Sequence, residues 1–409
     1  MVRILALGSN SGGQLATGDT EDRHHTAVCA FVPGSDSVAE DAGAWAVCGG
    51  GNHAFLWSSD GQRLFGCGYN GNGELAISSD APHRELQWRR VELPDGCEAV
   101  CKVACGWSHT LLLGSDGRVY AAGSGEFGQL GTGTSSLSSG WTQLVADTIT
   151  STRFIDIACG LRHSLLLAAD GSVYACGANR KGQLGDAALG AKVAVPVCVS
   201  RGLPPIAMVA CGRAHSLMVA TDGVTVFAAG DDRFAQCGPV DDSLPKHPAA
   251  LSWRQFRLPC RARKLCAGWE FGAVLTDPPE DQQQQGKKDG GTVLMWGRAD
   301  NGQLGCEPSL DGAVRMRRSV ELVPLGDVMD LACGSNHVAV VTQERKVYAW
   351  GWNEHGNAGD PSLRDVRCPQ HIALCSGAAV DADADADARQ LSAPALSIGC
   401  GYGNTYVCI

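Results

Sequence analysis

Three kinds of feature are missing from this sequence, and each absence argues against a class of function. No lysine- or arginine-rich arm is present, and 43 acidic residues outnumber 33 basic ones, so the formal net charge is −10. Electrostatic attraction to DNA or to an anionic membrane is therefore unsupported. No apolar run reaches the length that crosses a bilayer, and no Gly-Lys-Ser/Thr phosphate loop appears. We expect a chain that binds neither nucleic acid nor membrane and holds no nucleotide or other cofactor.

A secretory signal is also lacking, although the chain contains 19 cysteines. The opening apolar stretch, residues 1–8, is too short for a signal peptide, so we expect reduced thiols in a cytoplasmic protein that is also nuclear. Cys97, Cys101 and Cys105 are spaced four apart, and on a strand each would lie about 13 Å from the next. No metal site is therefore predicted. One position before a repeated glycine is filled five times by cysteine, which suits a crowded strand: Cys105, Cys159, Cys211, Cys333 and Cys400.

What the sequence does contain is one short pattern repeated seven times. Each copy has a glycine, two variable residues, usually histidine, an apolar run, often Asp-Gly, a second apolar run ending in glycine, and then a Gly-Gln-Leu-Gly-like segment. The first glycines of the copies are Gly50, Gly106, Gly160, Gly212, Gly268, Gly334 and Gly401. By subtraction the copies are 52 to 67 residues apart, a period that indicates a repeat architecture.

The two ends of the chain indicate how the repeats are arranged. Residues 398–407 supply only the opening half of a copy, and residues 4–15 supply only the closing half. An open solenoid would need polar caps at both ends, whereas a propeller closes by pairing its first strand with its last. The sequence therefore predicts an all-β, seven-bladed β-propeller forming a single domain over residues 1–409, with one split blade made of residues 1–45 and 391–409.

The strands of one repeat are predicted at residues 154–159, 163–167, 173–176 and 193–197, with Asp170-Gly171 as a hairpin turn. Four antiparallel strands make a blade. The connections from strand one to two and from strand three to four then share one face of the ring. Two low-complexity insertions, 278–291 and 377–390, fall in connections of the opposite face and are predicted to be disordered.

These repeats resemble a known family. The segments Val-Ala-Cys-Gly-Arg-Ala-His-Ser at 209–216 and Lys-Gly-Gln-Leu-Gly at 181–185 are typical of regulator-of-chromosome-condensation repeats, whose fold is a seven-bladed propeller. Within that family, residues 296–305 and 350–357 are most similar to the secretion-regulating guanine-nucleotide exchange factor and the fungal alpha-tubulin suppressor proteins. The basic tail of the chromatin-bound exchange factor for the Ran GTPase has no counterpart here.

Histidine recurs three residues after the motif glycine. A catalytic role would need a nucleophile and an orienting carboxylate beside one of these rings, whereas equivalent positions in a ring lie in different blades. We predict that they are structural and brace the turn through an imidazole hydrogen bond. They are His53, His109, His163, His215 and His337, with Phe271 and Asn404 as departures.

Recognition is predicted on the face that carries the variable pairs after the motif glycine. Large aromatic residues and arginines recur there, and these dominate interface hot spots. The candidate partner-binding residues are Trp107, Arg162, Arg213, Trp269, Tyr402, Trp352, Glu354 and His355. The alternative is that these side chains shield the central channel or stack on neighbouring loops.

Several functions remain open at this point. The resemblance to the alpha-tubulin suppressor proteins implies a non-catalytic platform for the small zinc-binding protein of diphthamide synthesis and wobble-uridine tRNA modification. We expect the propeller to be a monomer. The family name implies instead nucleotide exchange on a small GTPase. A stand-alone enzyme is not expected. A light-sensing dimer would need several Gly-Trp-Arg-His-Thr motifs, and only residues 106–110 approach one.

Overall fold

A computed structural model describes residues 3–31, 44–77, 83–144, 149, 151–186, 188–239, 253–277, 290–305, 316–374 and 397–409. Within these ranges the chain forms 28 strands and no helix. Most of the two predicted insertions, along with parts of the predicted split blade, lies outside the described residues.

The strands form seven four-stranded antiparallel sheets. The chain begins with β1 (Ile4–Gly8) and β2 (Arg23–Val28). Blade 1 contains β3 (Trp45–Gly49), β4 (His53–Ser58), β5 (Leu64–Tyr69) and β6 (Arg84–Arg90). Blade 2 contains β7 (Val100–Cys105), β8 (His109–Gly114), β9 (Val119–Gly123) and β10 (Ser138–Gln143). Blade 3 contains β11 (Phe154–Cys159), β12 (His163–Ala168), β13 (Val173–Ala178) and β14 (Lys192–Cys198).

The second half of the ring follows the same order. Blade 4 contains β15 (Ile206–Cys211), β16 (His215–Ala220), β17 (Thr225–Gly230) and β18 (Arg254–Arg257). Blade 5 contains β19 (Ala262–Ala267), β20 (Phe271–Thr276), β21 (Thr292–Arg298) and β22 (Met316–Leu322). Blade 6 contains β23 (Val328–Cys333), β24 (His337–Thr342), β25 (Val347–Gly351) and β26 (Val366–His371). The chain ends with β27 (Ser397–Cys400) and β28 (Asn404–Cys408).

Blade 7 is built from both ends of the chain. Its strand order is β2-β1-β28-β27, and β1 pairs with β28 from Ile4 opposite Cys408 to Gly8 opposite Asn404. The backbone amide of Arg3 donates to the carbonyl of Ile409 at 2.8 Å, which extends the ladder by one step. The predicted seven-bladed ring, closed by its own termini, is therefore confirmed.

The apolar core lies between neighbouring blades. The second strands are buried along their whole length in blades 2 to 6, whereas the outer strands, such as β10, are mostly accessible. In one cluster, Leu165 and Leu184 of blade 3 pack with Met218 and Phe227 of blade 4. Because each blade buries one face against the next, no blade has a core of its own.

The motif glycine is needed because adjacent blades approach closely at the channel. A Cβ atom on Gly160 would lie 2.3 Å from Cε1 of His163 and 2.5 Å from the backbone oxygen of Gly212 in the next blade. Both distances are far below van der Waals contact, so only a residue without Cβ fits this position. The glutamine of the Gly-Gln-Leu segment has a local role as well, since Gln183 Oε1 accepts the backbone N–H of Lys181 at 3.0 Å and holds the turn.

The recurring histidines link neighbouring blades. All five are buried, and four place Nε2 beside a Ser or Thr hydroxyl of the following blade, as His109 does with Ser164 at 3.1 Å. Ser164 donates its own proton to the carbonyl of Gln129 at 2.8 Å, so it must accept from the ring, and Nε2 carries the imidazole proton. The remaining pairs are His53 with Thr110 at 2.9 Å, His163 with Ser216 at 3.0 Å and His337 with Thr405 at 3.1 Å.

This arrangement corrects the prediction in two ways. The Nε2 hydrogen bonds cross to the next blade instead of bracing the turn itself. His215 makes no such bond, because the hydroxyl position of the next blade is Gly272, and neither ring nitrogen has a partner among the described residues. Burial keeps all five rings neutral, lowering the pKa of His53, His109 and His163 to about 3 and of His215 and His337 to about 4.

Candidate partner-binding face

The connections from strand one to two and from strand three to four gather on one side of the ring, here called the loop face. At their inner ends, backbone hydrogen bonds join successive blades. Arg213 N donates to Trp269 O at 3.2 Å, Trp269 N to Ser335 O at 2.7 Å, and Ser335 N to Tyr402 O at 2.9 Å. These bonds hold the variable pairs of blades 4 to 7 beside the mouth of the central channel.

Three candidate residues from different blades meet at this mouth. Trp107 of blade 2 stacks on Tyr402 of blade 7 with ring centroids 5.8 Å apart. Trp269 of blade 5 lies 6.2 Å from Trp107 and 5.7 Å from Tyr402. We call these three side chains the aromatic cluster. The expectation that large residues stack on neighbouring loops applies to all three, yet Trp107 remains 42% exposed and available for contact.

The channel below the aromatic cluster is lined by thiols. The five cysteines of the repeated position, together with Cys48 and Cys266, line a cavity of about 200 Å³. Their thiols contact backbone carbonyls of adjacent blades, as Cys159 Sγ does with Ala104 O at 3.3 Å, and burial raises the pKa of Cys400 to about 12. Among the described residues no group of His, Cys, Asp or Glu is placed to hold a metal ion. Nor does this part of the chain contain a helix suited to span a membrane.

Arg213 connects the aromatic cluster to a buried carboxylate. Its guanidinium lies 5.2 Å from the ring centroid of Trp269 and 3.1 Å from Oε1 of Glu270, whose side chain is only 3% exposed. Arg298 approaches the other oxygen of Glu270 at 3.3 Å and pairs with Asp300 at 2.7 Å. Two guanidinium groups thus compensate the buried charge of Glu270. Sequence reasoning did not select Glu270 as a candidate site residue.

Arg162 and Arg213 also line a second cavity on the loop face, of about 420 Å³, whose walls come from blades 2 to 5. Arg162 stacks its guanidinium 4.1 Å from the ring centroid of Phe127. Trp269 forms part of the same wall. We call this cavity the cationic groove, after the six lysines and arginines that line it: Arg162, Arg180, Lys181, Lys192, Arg213 and Arg233.

The remaining three candidates occupy a separate place, where blade 6 meets the closing blade. His355 Nδ1 lies 2.6 Å from Oδ2 of Asp22, a contact between distant parts of the chain. Trp352 packs edge-on against His355 at 5.2 Å between ring centroids, and Glu354 is exposed. The structure therefore separates Trp352, Glu354 and His355 from the cationic groove.

Sequence reasoning missed Arg180, Lys181 and Arg233. All three precede the buried glutamine of a Gly-Gln-Leu-like segment, in connections that were predicted to share the loop face. Arg180 and Arg233 lie at equivalent positions of two successive repeats, and this repeated positive charge was the available signal.

Comparison with known proteins accords with this geometry. A profile of the RCC1-like domain matches residues 3–406. The chain belongs to the RCC1-like family. One relative of this RCC1-like chain, the secretion-regulating guanine nucleotide exchange factor of Bos taurus, is 30% identical over 397 residues, covering 90% of this chain and 78% of the relative. An RCC1 repeat-containing protein of Schizosaccharomyces pombe is 27% identical over 370 residues, covering 89% and 91%.

Solved structures support the fold of this RCC1-like propeller. Prp20p of Saccharomyces cerevisiae superposes with a TM-score of 0.79 at 21% identity, covering all of this chain and 91% of the other. Human WBSCR16 superposes with a TM-score of 0.74 at 20% identity, covering 100% and 98%. The predicted family is confirmed, as is the similarity to the secretion-regulating exchange factor.

Proposed function

We propose that this RCC1-like propeller is a non-catalytic binding protein that holds a small partner protein on its loop face. The observation that carries the proposal is the aromatic cluster, in which Trp107 is 42% exposed although its ring contacts those of Tyr402 and Trp269. Exposed, rigidly held tryptophans beside arginines are typical of interface hot spots. Arg213 stands next to the cluster and is itself held by Glu270.

We propose the identity of the partner from the resemblance to the fungal alpha-tubulin suppressor proteins. This partner is the small zinc-binding protein that serves diphthamide synthesis and wobble-uridine tRNA modification. In this reading the propeller contributes a surface and no catalytic group, and it acts as a cytoplasmic monomer that is also found in the nucleus.

Calorimetric titration with the purified zinc protein tests this proposal. Trp107→Ala should weaken binding about tenfold or more, because truncation of a hot-spot tryptophan removes at least about 1.4 kcal/mol. Leu322→Ala is the matched control, since Leu322 is 59% exposed but lies on the outer strand β22. Absence of binding by the wild-type chain would exclude the zinc protein as the partner. An equal loss of affinity in both variants would show that the loop face is not the binding surface.

Nucleotide exchange on a small GTPase is the second candidate. It is favoured by the secretion-regulating guanine nucleotide exchange factors of Bos taurus and Mus musculus, which are 30% and 31% identical to this chain. An exchange factor must bind the nucleotide-free GTPase more tightly than the loaded one, which requires shape and polar contacts and no catalytic acid or base. Release of labelled GDP from a panel of small GTPases should accelerate, and unchanged rates at saturating propeller would exclude exchange.

A further inference from the structure

The cationic groove carries positive charge in a chain that is acidic overall. Six lysines and arginines line it against only three acids, Glu126, Asp231 and Glu270, whereas the whole chain has a formal charge of −10. Charges farther away than about 8 Å are largely screened at physiological ionic strength. The groove therefore attracts anions although the molecule as a whole repels them.

Three of these six cations form ion pairs or hydrogen bonds with other groups of the protein. Arg213 pairs with Glu270 at 3.1 Å and Arg233 with Asp231 at 2.8 Å. Lys192 Nζ donates to the backbone oxygen of Glu126 at 2.6 Å and to Ser135 Oγ at 2.5 Å.

The other three cations differ from these in their surroundings. Arg162 stacks on Phe127, and the neighbours Arg180 and Lys181 are exposed at the rim. None of the three forms an ion pair with any residue in the described part of the chain.

Two buried amides at the floor of the groove provide further donors. Gln183 and Gln236 line the groove and are only 4% and 1% exposed. Their Oε1 atoms accept the backbone N–H groups of Lys181 at 3.0 Å and Phe234 at 2.8 Å. The Nε2 group of each has no hydrogen-bond partner among the described residues. Neither Nε2 atom is among the buried unpartnered atoms of the described residues, so both remain accessible as hydrogen-bond donors to a ligand in the groove.

We propose that the cationic groove binds an acidic peptide segment of the partner protein, with carboxylates paired to Arg162, Arg180 and Lys181. This inference rests on the proposed protein-binding function. The positive groups come from the β11–β12, β13–β14, β15–β16 and β17–β18 connections and from Lys192 at the start of β14, so they are spread around the groove and do not converge on one point. Such a distribution suits several carboxylates on one chain better than a single phosphate. The volume of about 420 Å³ is within the range of specific ligand sites.

Fluorescence anisotropy with a labelled hexaglutamate peptide at low ionic strength tests the groove directly. The wild-type chain should bind it saturably, hexaglutamine should not bind, and added salt should weaken the complex. The double variant Arg180→Ala, Lys181→Ala should bind about tenfold more weakly. The matched control is Arg345→Ala, Lys346→Ala, which removes two adjacent exposed cations from the β24–β25 hairpin on the opposite face.

Several results would overturn the inference. They are no saturation by about 1 mM peptide, equal binding of hexaglutamine, equal weakening in both double variants, or full displacement by equimolar inorganic phosphate or ATP. Titration with the zinc protein distinguishes failure of the groove inference from failure of the proposed function. If the zinc protein binds and Trp107→Ala weakens it while hexaglutamate does not bind, only the groove inference is wrong. If neither ligand binds, both proposals fall.

Discussion

Mild acid should destabilise this propeller strongly, because five histidines are buried in neutral form between its blades. Burial lowers the pKa of His53, His109 and His163 to about 3 and of His215 and His337 to about 4. In the unfolded chain a histidine has a pKa of about 6.5. The unfolded state therefore binds protons that the native state does not, and the free energy of unfolding falls as the pH drops below about 6.5.

The magnitude follows from the difference between these pKa values. At pH 5.5 each histidine costs about 1.4 kcal/mol, so the five together cost roughly 7 kcal/mol, a large part of a typical domain's stability. Carboxylates add little in this range because their unfolded pKa values are about 4. Glu74 acts in the opposite direction, since burial raises its pKa, but it is one group against five.

Urea unfolding at pH 7.5 and pH 5.5, followed by tryptophan fluorescence, measures this loss. Two matched variants assign it to the buried rings. His215→Phe should retain or gain stability at pH 7.5, because His215 has no side-chain partner and Phe271 fills the same position in blade 5. His163→Phe should lose about 1 kcal/mol at pH 7.5, because it loses the hydrogen bond to Ser216.

Each variant should also lose about one fifth of the wild type's acid sensitivity, since one titrating ring of five is gone. Equal urea midpoints at the two pH values, or an acid loss that neither variant reduces, would refute the reasoning.

Two further substitutions probe the ring itself. Gly160→Ala should lower the unfolding temperature sharply, at a cost of about 3 kcal/mol or more, because the new Cβ would lie 2.5 Å from Gly212 O. The control is Gly140→Ala, where a Cβ would have no heavy atom within 4 Å, and it should change stability by less than about 1 kcal/mol. Similar losses in both variants would contradict the close-approach argument. Tyr406→Phe should cost about 1 kcal/mol in urea titration, because the buried hydroxyl donates to the Gln14 carbonyl at 2.8 Å and ties the two chain ends together; an unchanged midpoint would show that this contact is not needed.

The repeat pattern was sufficient to predict the fold. The half repeats at the two ends of the chain predicted the split blade, and β1 and β28 pair within it. Strand order within the repeat predicted that the connections from strand one to two and from strand three to four share a face. The cationic groove is lined by both kinds of connection, with Arg162 from β11–β12 and Lys181 from β13–β14. These predictions succeed because each depends on residues of one repeat and on the antiparallel order of its strands.

The candidate face was only partly predictable. Trp107, Trp269 and Tyr402 were selected singly, without any sign that they touch one another. The exception at His215 was equally hidden, because it depends on Gly272 in the following blade and not on the histidine's own repeat.

By itself, the sequence determined the number of blades, their strands and the closure of the ring, because hydrophobic alternation and turn glycines act over short stretches of chain. Only the tertiary structure decided which side chains meet. Contacts such as Arg213 with Glu270 and Trp107 with Tyr402 arise where blades converge on the channel, and that convergence depends on the rotation between blades, which no single repeat encodes.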